Sequence, residues 1–290
     1  MASITVGQMQ AVDERCEVFY IPNFVTEEEE SYLIRKIKDT SHQSWKTLTN
    51  RRLQTWGGQM FGKNVLLPQA LPPFVEAYPN IISRLQSTGV FRHSVHGAPS
   101  EMKGAFPLKE SPLTTAFTDH VILNEYLPGQ GIMPHQDGPA YYPVVATLSL
   151  GSHTAFHYYK HRTGNTSHGA TDLVSSGPEN EQRVIDSTPM MSVLLEPRSV
   201  IITSGSMYTS HLHGQVSSTI SALLTHHSTD RFTAGSDDIN PPKFAALNVA
   251  VANWKLLSGK DIKEAVINGG YLERGTRYSL TCRDVEKMAN

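Results

Sequence analysis

Residues 277 to 283 alternate strictly between polar and apolar side chains. Because successive side chains of a β-strand point to opposite faces, one face would carry the polar set and the other the apolar set. Two guanidiniums and two hydroxyls are costly to bury unless carboxylates and hydrogen bonds satisfy them. The pattern therefore predicts a strand with a hydrophobic core on one side and an anion site on the other. The polar set is Arg277, Ser279, Thr281 and Arg283, and the apolar set is Tyr278, Leu280 and Cys282.

The spacing of the two arginines limits the anion. At about 3.3 Å per residue, their Cα atoms would lie roughly 20 Å apart, so both side chains cannot grip one carboxylate. They can bracket a short dicarboxylic acid of about five carbons. The alternative is an edge strand at the surface whose arginines are solvated, and the alternation alone does not decide between the two.

His135 and Asp137 stand two residues apart, which places both side chains on the same face of an extended segment. An imidazole and a carboxylate, completed by a distant second histidine, form the facial triad typical of non-heme Fe(II) sites. His211 and His213 are both candidates for that second histidine. They are themselves two residues apart, so on a strand both would point to the same face, and the alternation of side chains does not separate them.

Composition limits the partners and the compartment. The formal net charge is −2 and the pI is about 6.7, so any contact with nucleic acid must be local. Two cysteines are too few for a disulfide framework and indicate a reducing compartment. The sequence shows neither a secretory signal nor an apolar run long enough to span a bilayer. We expect a soluble monomer of the cytoplasm and nucleus with no membrane partner.

The front of the chain is predicted to be helical. After a short strand at Val18–Ile21, Thr26 and Glu29 form a capping-box signature, and the helix that follows should end near Asp39. Residues 74 to 88, which follow two prolines, are predicted to form a second helix.

From Val121 onward the pattern is β-rich. Two polar segments, residues 161–186 and 228–243, are predicted to be exposed excursions from this β core. The predicted strands are residues 144–150, 191–195, 200–203 and 218–225, and a further helix is predicted at residues 255–268.

Over most of its length the chain resembles the AlkB family of Fe(II)- and 2-oxoglutarate-dependent dioxygenases, most specifically the homologue-six branch of that family. The segments that carry the resemblance occur in the expected order. They are residues 52–58 (RLQTWGG), 124–143 with MPHQDGP at its centre, 149–154 (SLGSHT), 195–199 (LEPRS), 208–209 (YT), 212–214 (LHG) and 277–283.

The resemblance implies a mainly β fold with some α structure, in which N-terminal helices pack on a double-stranded β-helix, or jelly-roll, core. It implies a single dioxygenase domain over residues 1–290. Within that domain, residues 1–115 would be an N-terminal extension with helices and a candidate substrate lid, and residues 116–285 would be the jelly-roll core.

The resemblance also implies roles for the candidate residues. His135, Asp137 and His213 would form the catalytic Fe(II) centre, since His213 matches the family's Leu-His-Gly. The co-substrates would be 2-oxoglutarate and O₂, with the far carboxylate of 2-oxoglutarate paired to Arg277. The residues implied in 2-oxoglutarate binding are Asn124, Tyr126, Arg277, Ser279, Thr281 and Arg283; the family usually has Asn at the position of Ser279.

The segment from Trp45 to Phe61 combines cations, aromatic rings and glycines, a mixture that can stack a base and contact phosphates. It matches the family's substrate-recognition lid, and the alternative is a packed N-terminal cap whose tryptophans belong to the core. The expected function is oxidative demethylation of alkylated DNA or RNA. The alternatives are a protein or small-molecule hydroxylase with the same iron site, and a non-catalytic nucleic-acid-binding module. The predicted substrate residues are Arg51, Arg52, Trp56, Tyr141 and Tyr142.

Overall fold

The computed structural model describes residues 9–62, 64–91, 120–162, 184–215 and 229–288. The predicted strand at 218–225 and most of the predicted excursion at 161–186 lie outside these residues. In chain order the strands are β1 Gln10–Ala11, β2 Val18–Ile21, β3 Lys46–Leu48, β4 Arg51–Trp56, β5 Gly58–Phe61, β6 Val65–Pro68, β7 His120–Tyr126, β8 Ile132–His135, β9 Tyr141–Leu150, β10 Thr154–Tyr159, β11 His161–Arg162, β12 Val184–Ile185, β13 Met191–Leu195, β14 Val200–Ser204, β15 Leu212–Gln215, β16 Thr229–Thr233, β17 Lys243–Phe244, β18 Val249–Ala250, β19 Tyr271–Glu273, β20 Arg277–Val285 and β21 Lys287–Met288. The α-helices are α1 Glu27–Lys38, α2 Pro73–Glu76, α3 Ile81–Ser87, α4 Gly205–Thr209 and α5 Lys260–Ile267.

The first helix, α1, begins at the predicted capping box. The Thr26 hydroxyl accepts a hydrogen bond from the Glu29 N–H, and the Glu29 carboxylate accepts one from the Thr26 N–H. Both of these backbone donors at the start of the helix are thereby satisfied. Asp39 is the C-cap, as predicted. Leu33 and Ile37 are fully buried, so α1 packs on the core through one stripe.

The prediction of one continuous helix over residues 74–88 is wrong, because the segment forms the two short helices α2 and α3. Pro79 lies between them, and proline inside a helix removes a hydrogen-bond donor and clashes with the preceding turn. Asn80 then adopts a left-handed conformation and caps α3 by accepting a hydrogen bond from the Ser83 N–H. None of the helices within the described ranges is long and apolar enough to cross a bilayer.

Two antiparallel sheets form the core. The larger has eight strands in the order β1-β2-β14-β9-β20-β7-β4-β3, and the smaller has four in the order β13-β10-β15-β8. From β7 onward the chain passes back and forth, with β7, β9, β14 and β20 in the larger sheet and β8, β10, β13 and β15 in the smaller. This winding of eight strands into two sheets is a jelly roll, so the predicted fold class is confirmed.

The central strand of the larger sheet, β20, positions the site. It pairs with β7 on one side and β9 on the other, and all of its residues are buried. Tyr278, Leu280 and Cys282 belong to the hydrophobic core that also contains residues of α1, α2 and α3. The alternating polar residues line a cavity on the opposite face, as the sequence pattern predicts.

The N-terminal strands belong to the same sheet as the jelly roll. β2 pairs with β14, and β4 pairs with β7. The N-terminal segment therefore extends the larger sheet past β7, so that β4 reaches the cavity.

A further sheet, β18-β17-β16-β19, packs with α5 against the smaller jelly-roll sheet through a cluster that includes Ala155, Leu194, Phe244 and Val266.

Candidate metal and anion site

Three side chains converge where β8 and β15 pair. His213 on β15 is in register with His135 on β8. Asp137 follows the end of β8, and its Oδ1 lies 3.8 Å from Nε2 of each histidine. The three candidate ligand atoms lie within 4.8 Å of one another. Separations of 3.8 Å are too long for hydrogen bonds. Two ligands that each lie about 2.1 Å from one ion can be at most about 4.2 Å apart, so Asp137 Oδ1 and the Nε2 of either histidine are close enough to share an ion.

Both histidines are held in the neutral form that binds a metal. Burial lowers the pKa of His213 to about 4, although Asp137 opposes the shift. Burial also lowers the pKa of His135. His135 Nδ1 donates a hydrogen bond of 2.9 Å to the Met133 carbonyl, which leaves the Nε2 lone pair free. A neutral imidazole with a free lone pair is the state that coordinates a metal.

Gly214 allows β15 to approach β8 closely. A Cβ atom at this position would lie 2.9 Å from both the Ile132 carbonyl oxygen and the Pro134 nitrogen. Because both contacts are with backbone, no larger residue fits unless one of the strands moves. The glycine of the Leu-His-Gly sequence is therefore explained by the packing of the strands that carry the two histidines.

Arg277 is a buried guanidinium whose hydrogen-bond partners within the described ranges are neutral. Nη1 donates to Gln215 Oε1 at 2.9 Å, and Nη2 donates to Ser149 Oγ at 2.8 Å. Nε has no partner in the described part of the chain. Burial lowers the pKa of Arg277 to about 10, so the group stays charged at neutral pH. A buried charge of this kind is stabilised by an anion from outside the chain.

Arg283 lies at the other end of the polar face, beside Asp137. Its Nη2 donates a hydrogen bond to Asp137 Oδ1, and its guanidinium lies over the Tyr141 ring, 4.9 Å from the centroid. Tyr141 in turn stacks on His120 at 5.6 Å. Among the described residues, Asp137 Oδ2 is buried without a hydrogen-bond partner. The Asp137 carboxylate is therefore fixed by Arg283 through Oδ1, and its Oδ2 remains able to bind a ligand.

One cavity of about 330 Å³ contains the His/Asp/His group and the whole polar face of β20. Asn124 also lines it and accepts a hydrogen bond of 3.0 Å from Arg51 Nε at its Oδ1. The N–H groups of the Asn124 amide therefore remain able to donate to a ligand. Burial raises the pKa of Tyr126, another lining residue, so its hydroxyl stays a hydrogen-bond donor.

The residues present fit Fe(II) and 2-oxoglutarate. Two neutral imidazoles and one carboxylate make the facial set that suits non-heme Fe(II) and leaves coordination positions open. Asp137 and Arg277 each keep a buried polar atom without a partner in the described residues, and both line the same cavity. A metal ion bound by Asp137 and the two histidines would balance the charge of the Asp137 carboxylate, and the carboxylate of a diacid would pair with Arg277.

The structure brings most of the predicted site residues to this cavity. The predicted lining residues that it contains are His135, Asp137, His213, Asn124, Tyr126, Arg277, Ser279, Thr281, Arg283, Arg51 and Tyr141. His211 is outside it, and its Nδ1 donates to the Ser206 carbonyl at 2.8 Å. His211 precedes the first residue of β15, so the alternation of side chains along that strand does not apply to it.

Three predicted substrate residues, Arg52, Trp56 and Tyr142, do not line the cavity. Arg51 and Arg52 are neighbours on β4, and Tyr141 and Tyr142 are neighbours on β9, so the two members of each pair face opposite sides of the sheet. Trp56 is buried in the hydrophobic core. The cavity therefore receives one residue of each pair.

Arg52 and Trp45 pack together on the face of the larger sheet that points away from the cavity. Arg52 forms an ion pair with Glu125, and its guanidinium lies 4.3 Å from the centroid of the Trp45 ring. Tyr278 also donates a hydrogen bond to Glu125 at 3.1 Å. This part of the predicted lid thus stabilises the fold, in line with the packed-cap alternative.

The sequence analysis missed several lining residues. Gln215 is the most informative, because its position two residues after His213 on β15 predicts the same strand face. Nothing in the sequence distinguishes the apolar lining residues from residues of the hydrophobic core. The missed residues are Leu53, Ile122, Ile132, Gln136, Thr147, Phe156 and Gln215.

Comparison with known proteins found relatives in sequence and in structure. No protein-family profile matches the chain. The chain is 30% identical over 271 residues to the zebrafish (Danio rerio) protein named "Probable RNA/DNA demethylase ALKBH6", which covers 93% of this chain and 86% of the relative. It is 28% identical over 143 residues to "Uncharacterized protein L905" of Acanthamoeba polyphaga mimivirus, covering 49% and 56%. The solved structure of OsALKBH1 aligns with a TM-score of 0.45 at 16% identity, covering 95% of this chain and 99% of that one.

A jelly roll that holds a His/Asp/His group and a buried arginine in one cavity defines an Fe(II)- and 2-oxoglutarate-dependent dioxygenase. At 30% identity over nearly the whole chain, the zebrafish relative shows which family of that class is present. The chain belongs to the AlkB family.

Proposed function

We propose that this chain is an oxidative demethylase that acts on alkylated nucleic acid. The observation that carries its chemistry is the placement of a His/Asp/His group and the buried Arg277 in one cavity. Two observations support nucleic acid as the substrate. The zebrafish relative carries the name "Probable RNA/DNA demethylase ALKBH6", and Arg51 at the cavity has no carboxylate partner among the described residues.

In this proposal His135, Asp137 and His213 hold Fe(II). Because burial lowers the pKa of both imidazoles below the usual 6.5, they are neutral at pH 7 and no proton has to leave them before the metal binds. Arg283 holds the Asp137 carboxylate in place. The Phe156 ring, stacked on His213 at 5.5 Å, excludes water from this side of the site.

Arg277 would pair with the far carboxylate of 2-oxoglutarate, and the Tyr126 hydroxyl would donate a second hydrogen bond to it. Asn124 and Arg283 would donate to the other end of the diacid, and Ser279 and Thr281 lie between the two arginines on the same strand face. When bound, Fe(II), 2-oxoglutarate and O₂ supply the oxidation of a substrate C–H bond, with succinate and CO₂ as co-products. A hydroxylated N-methyl group then releases formaldehyde and leaves the nitrogen demethylated.

The experiment that tests the substrate is mass spectrometry of a mixed pool of alkylated DNA and RNA oligonucleotides incubated with enzyme, Fe(II) and 2-oxoglutarate. We expect methyl groups to be lost and formaldehyde to appear, and we expect neither with His135→Ala. Succinate release that is independent of every oligonucleotide, with no change in their mass, would contradict the nucleic-acid substrate.

The second candidate is a protein or small-molecule hydroxylase with the same iron site. It is favoured by the net charge of −2 and by the use of Arg52 and Trp45 in packing, which leaves less of a cationic and aromatic surface for nucleic acid. Binding of the alkylated oligonucleotides separates the two. A demethylase should bind them with an affinity that falls as salt rises, whereas such a hydroxylase should not bind them.

A further inference from the structure

Gln215 connects three parts of the site. Its Oε1 accepts the hydrogen bond from Arg277 Nη1, and its Nε2 donates to the backbone carbonyl of Gln130 at 3.3 Å. It also stands two residues after His213 on β15 and lines the same cavity. Only 1% of Gln215 and 3% of Arg277 is exposed, so water competes little for these bonds.

The two ends of the Gln215 amide are used in a fixed order. The Gln130 carbonyl can only accept, so it requires the N–H end of the amide, and the oxygen end must then face Arg277. Arg274 Nη2 donates to the same carbonyl at 3.0 Å, which fixes the position of that carbonyl as well. A reversed amide would put N–H groups against a guanidinium. The hydrogen-bond network therefore orients Gln215 and, through it, Arg277.

The neutrality of this partner matters as much as its geometry. A carboxylate at position 215 would form an ion pair with Arg277 and cancel the charge that an incoming anion needs. The other acceptor, Ser149 Oγ, is neutral too. Arg277 is thus held on both Nη atoms by groups that carry no charge.

We infer that Gln215 is a positioning residue that sets the selectivity for a dicarboxylic co-substrate, because it orients the Arg277 guanidinium without neutralising it. This inference rests on the proposed role of Arg277 in binding the far carboxylate. The ligand class is a 2-oxo acid with a second carboxylate, as opposed to a 2-oxo acid that has only one.

The test is calorimetric titration of the full chain loaded with Mn(II), which stands in for Fe(II) without turnover. The two probes are 2-oxoglutarate and 2-oxobutyrate, which share the keto-acid end but differ in the second carboxylate. We expect Gln215→Glu to weaken 2-oxoglutarate binding by roughly tenfold or more, since an internal ion pair replaces the one with the ligand. Binding of 2-oxobutyrate and of Mn(II) should change little. In turnover assays, the KM for 2-oxoglutarate should rise while kcat at saturation is retained.

The matched control is Gln59→Glu, which makes the same chemical change at an exposed side chain of β5 that does not line the cavity. It should leave the affinity for both probes within about twofold of wild type. Gln215→Leu, which keeps the Arg277 charge but loses its orienting bond, should fall between wild type and Gln215→Glu, and it replaces Gln215→Glu if that variant does not fold.

Failure of this inference is distinguishable from failure of the proposed function. If Arg277→Gln weakens 2-oxoglutarate binding but the Gln215 variants bind it as wild type does, the positioning role is overturned alone. If Arg277→Gln has no effect, the proposed anion site itself is overturned. Equal loss of both probes in Gln215→Glu would place the effect at the metal and would also overturn the inference.

Discussion

His213 and His135 occupy paired positions on two adjacent antiparallel strands, and their ring centroids lie 4.6 Å apart. The strand ladder therefore sets the spacing of the two imidazoles, and Asp137 reaches them from just past the end of β8. A candidate metal site built this way depends on the pairing of two strands more than on loop conformation.

The first prediction separates the two histidines that the sequence left equivalent. His213→Ala should weaken Fe(II) binding by at least about 100-fold, because it removes a ligand rather than a group that only supports one. His211→Ala, two residues away and bonded to the Ser206 carbonyl, should bind Fe(II) nearly as wild type does. Anaerobic titration with Fe(II) measures both, and equal losses in the two variants would contradict this ligand assignment.

The second prediction concerns the close approach of β15 to β8. Gly214→Ala should cost about 1–3 kcal/mol of unfolding free energy and should also weaken Fe(II) binding, because one strand must move away from the other. Gly62→Ala is the control, since an added Cβ there meets nothing within 4 Å. Urea unfolding and Fe(II) titration are the measurements. A Gly214 variant as stable as the Gly62 variant would show that the strands tolerate the methyl group.

The third prediction uses adjacent arginines on opposite faces of β4. Arg52→Ala should lower the unfolding free energy by about 2 kcal/mol, because the buried carboxylate of Glu125 loses its cation. Arg51→Ala should change stability by less than about 0.5 kcal/mol but should weaken oligonucleotide binding and reduce its salt dependence. Urea unfolding and binding measured over a range of salt concentrations test the pair. A reversal of the two effects would contradict the assignment of faces.

The fourth prediction is a pH dependence of the metal-free protein. Burial lowers the pKa of both His120 and His157 to about 4, from 6.5. Between those values the unfolded chain binds protons that the folded chain does not, so stability is full above about pH 6.5 and falls as the pH is lowered toward 4. Each group should contribute about 1 kcal/mol per pH unit within this window.

Urea unfolding in a pH series from 7.5 down to the onset of acid unfolding would measure this slope. His157 lies outside the cavity. The His157→Gln variant should lower the slope of unfolding free energy against pH by the contribution of one histidine. A slope that is unchanged in this variant would show that His157 does not contribute.

Much of the site was predictable because side chains alternate between the two faces of a strand, which strongly constrains which residues can lie together. The alternation in residues 277 to 283 placed the polar and apolar sets on the correct faces of β20. The capping box at Thr26 and Glu29 predicted the start of α1 for an equally local reason. Signals of this kind need only near neighbours along the chain.

The errors arise where tertiary packing or a local breaker decides. Pro79 splits the helix predicted over residues 74–88, and that signal was present in the sequence. Trp56 and Arg52 were predicted to contact substrate from composition, but their side of β4 faces the core and Glu125. Gln215 could have been found by applying to His213 the same two-residue spacing that linked His135 with Asp137.

The position of β20 bears on how the protein is made. This strand comes later in the chain than β7 and β9 yet lies between them in the sheet, so the two earlier strands have no shared partner until it is synthesised. A nascent chain that has reached only residue 276 lacks both arginines of the polar face and the central ladder of the larger sheet. Ribosome-bound chains of that length should therefore be susceptible to protease and unable to retain the diacid, and protease resistance and diacid binding should appear together once β20 has emerged.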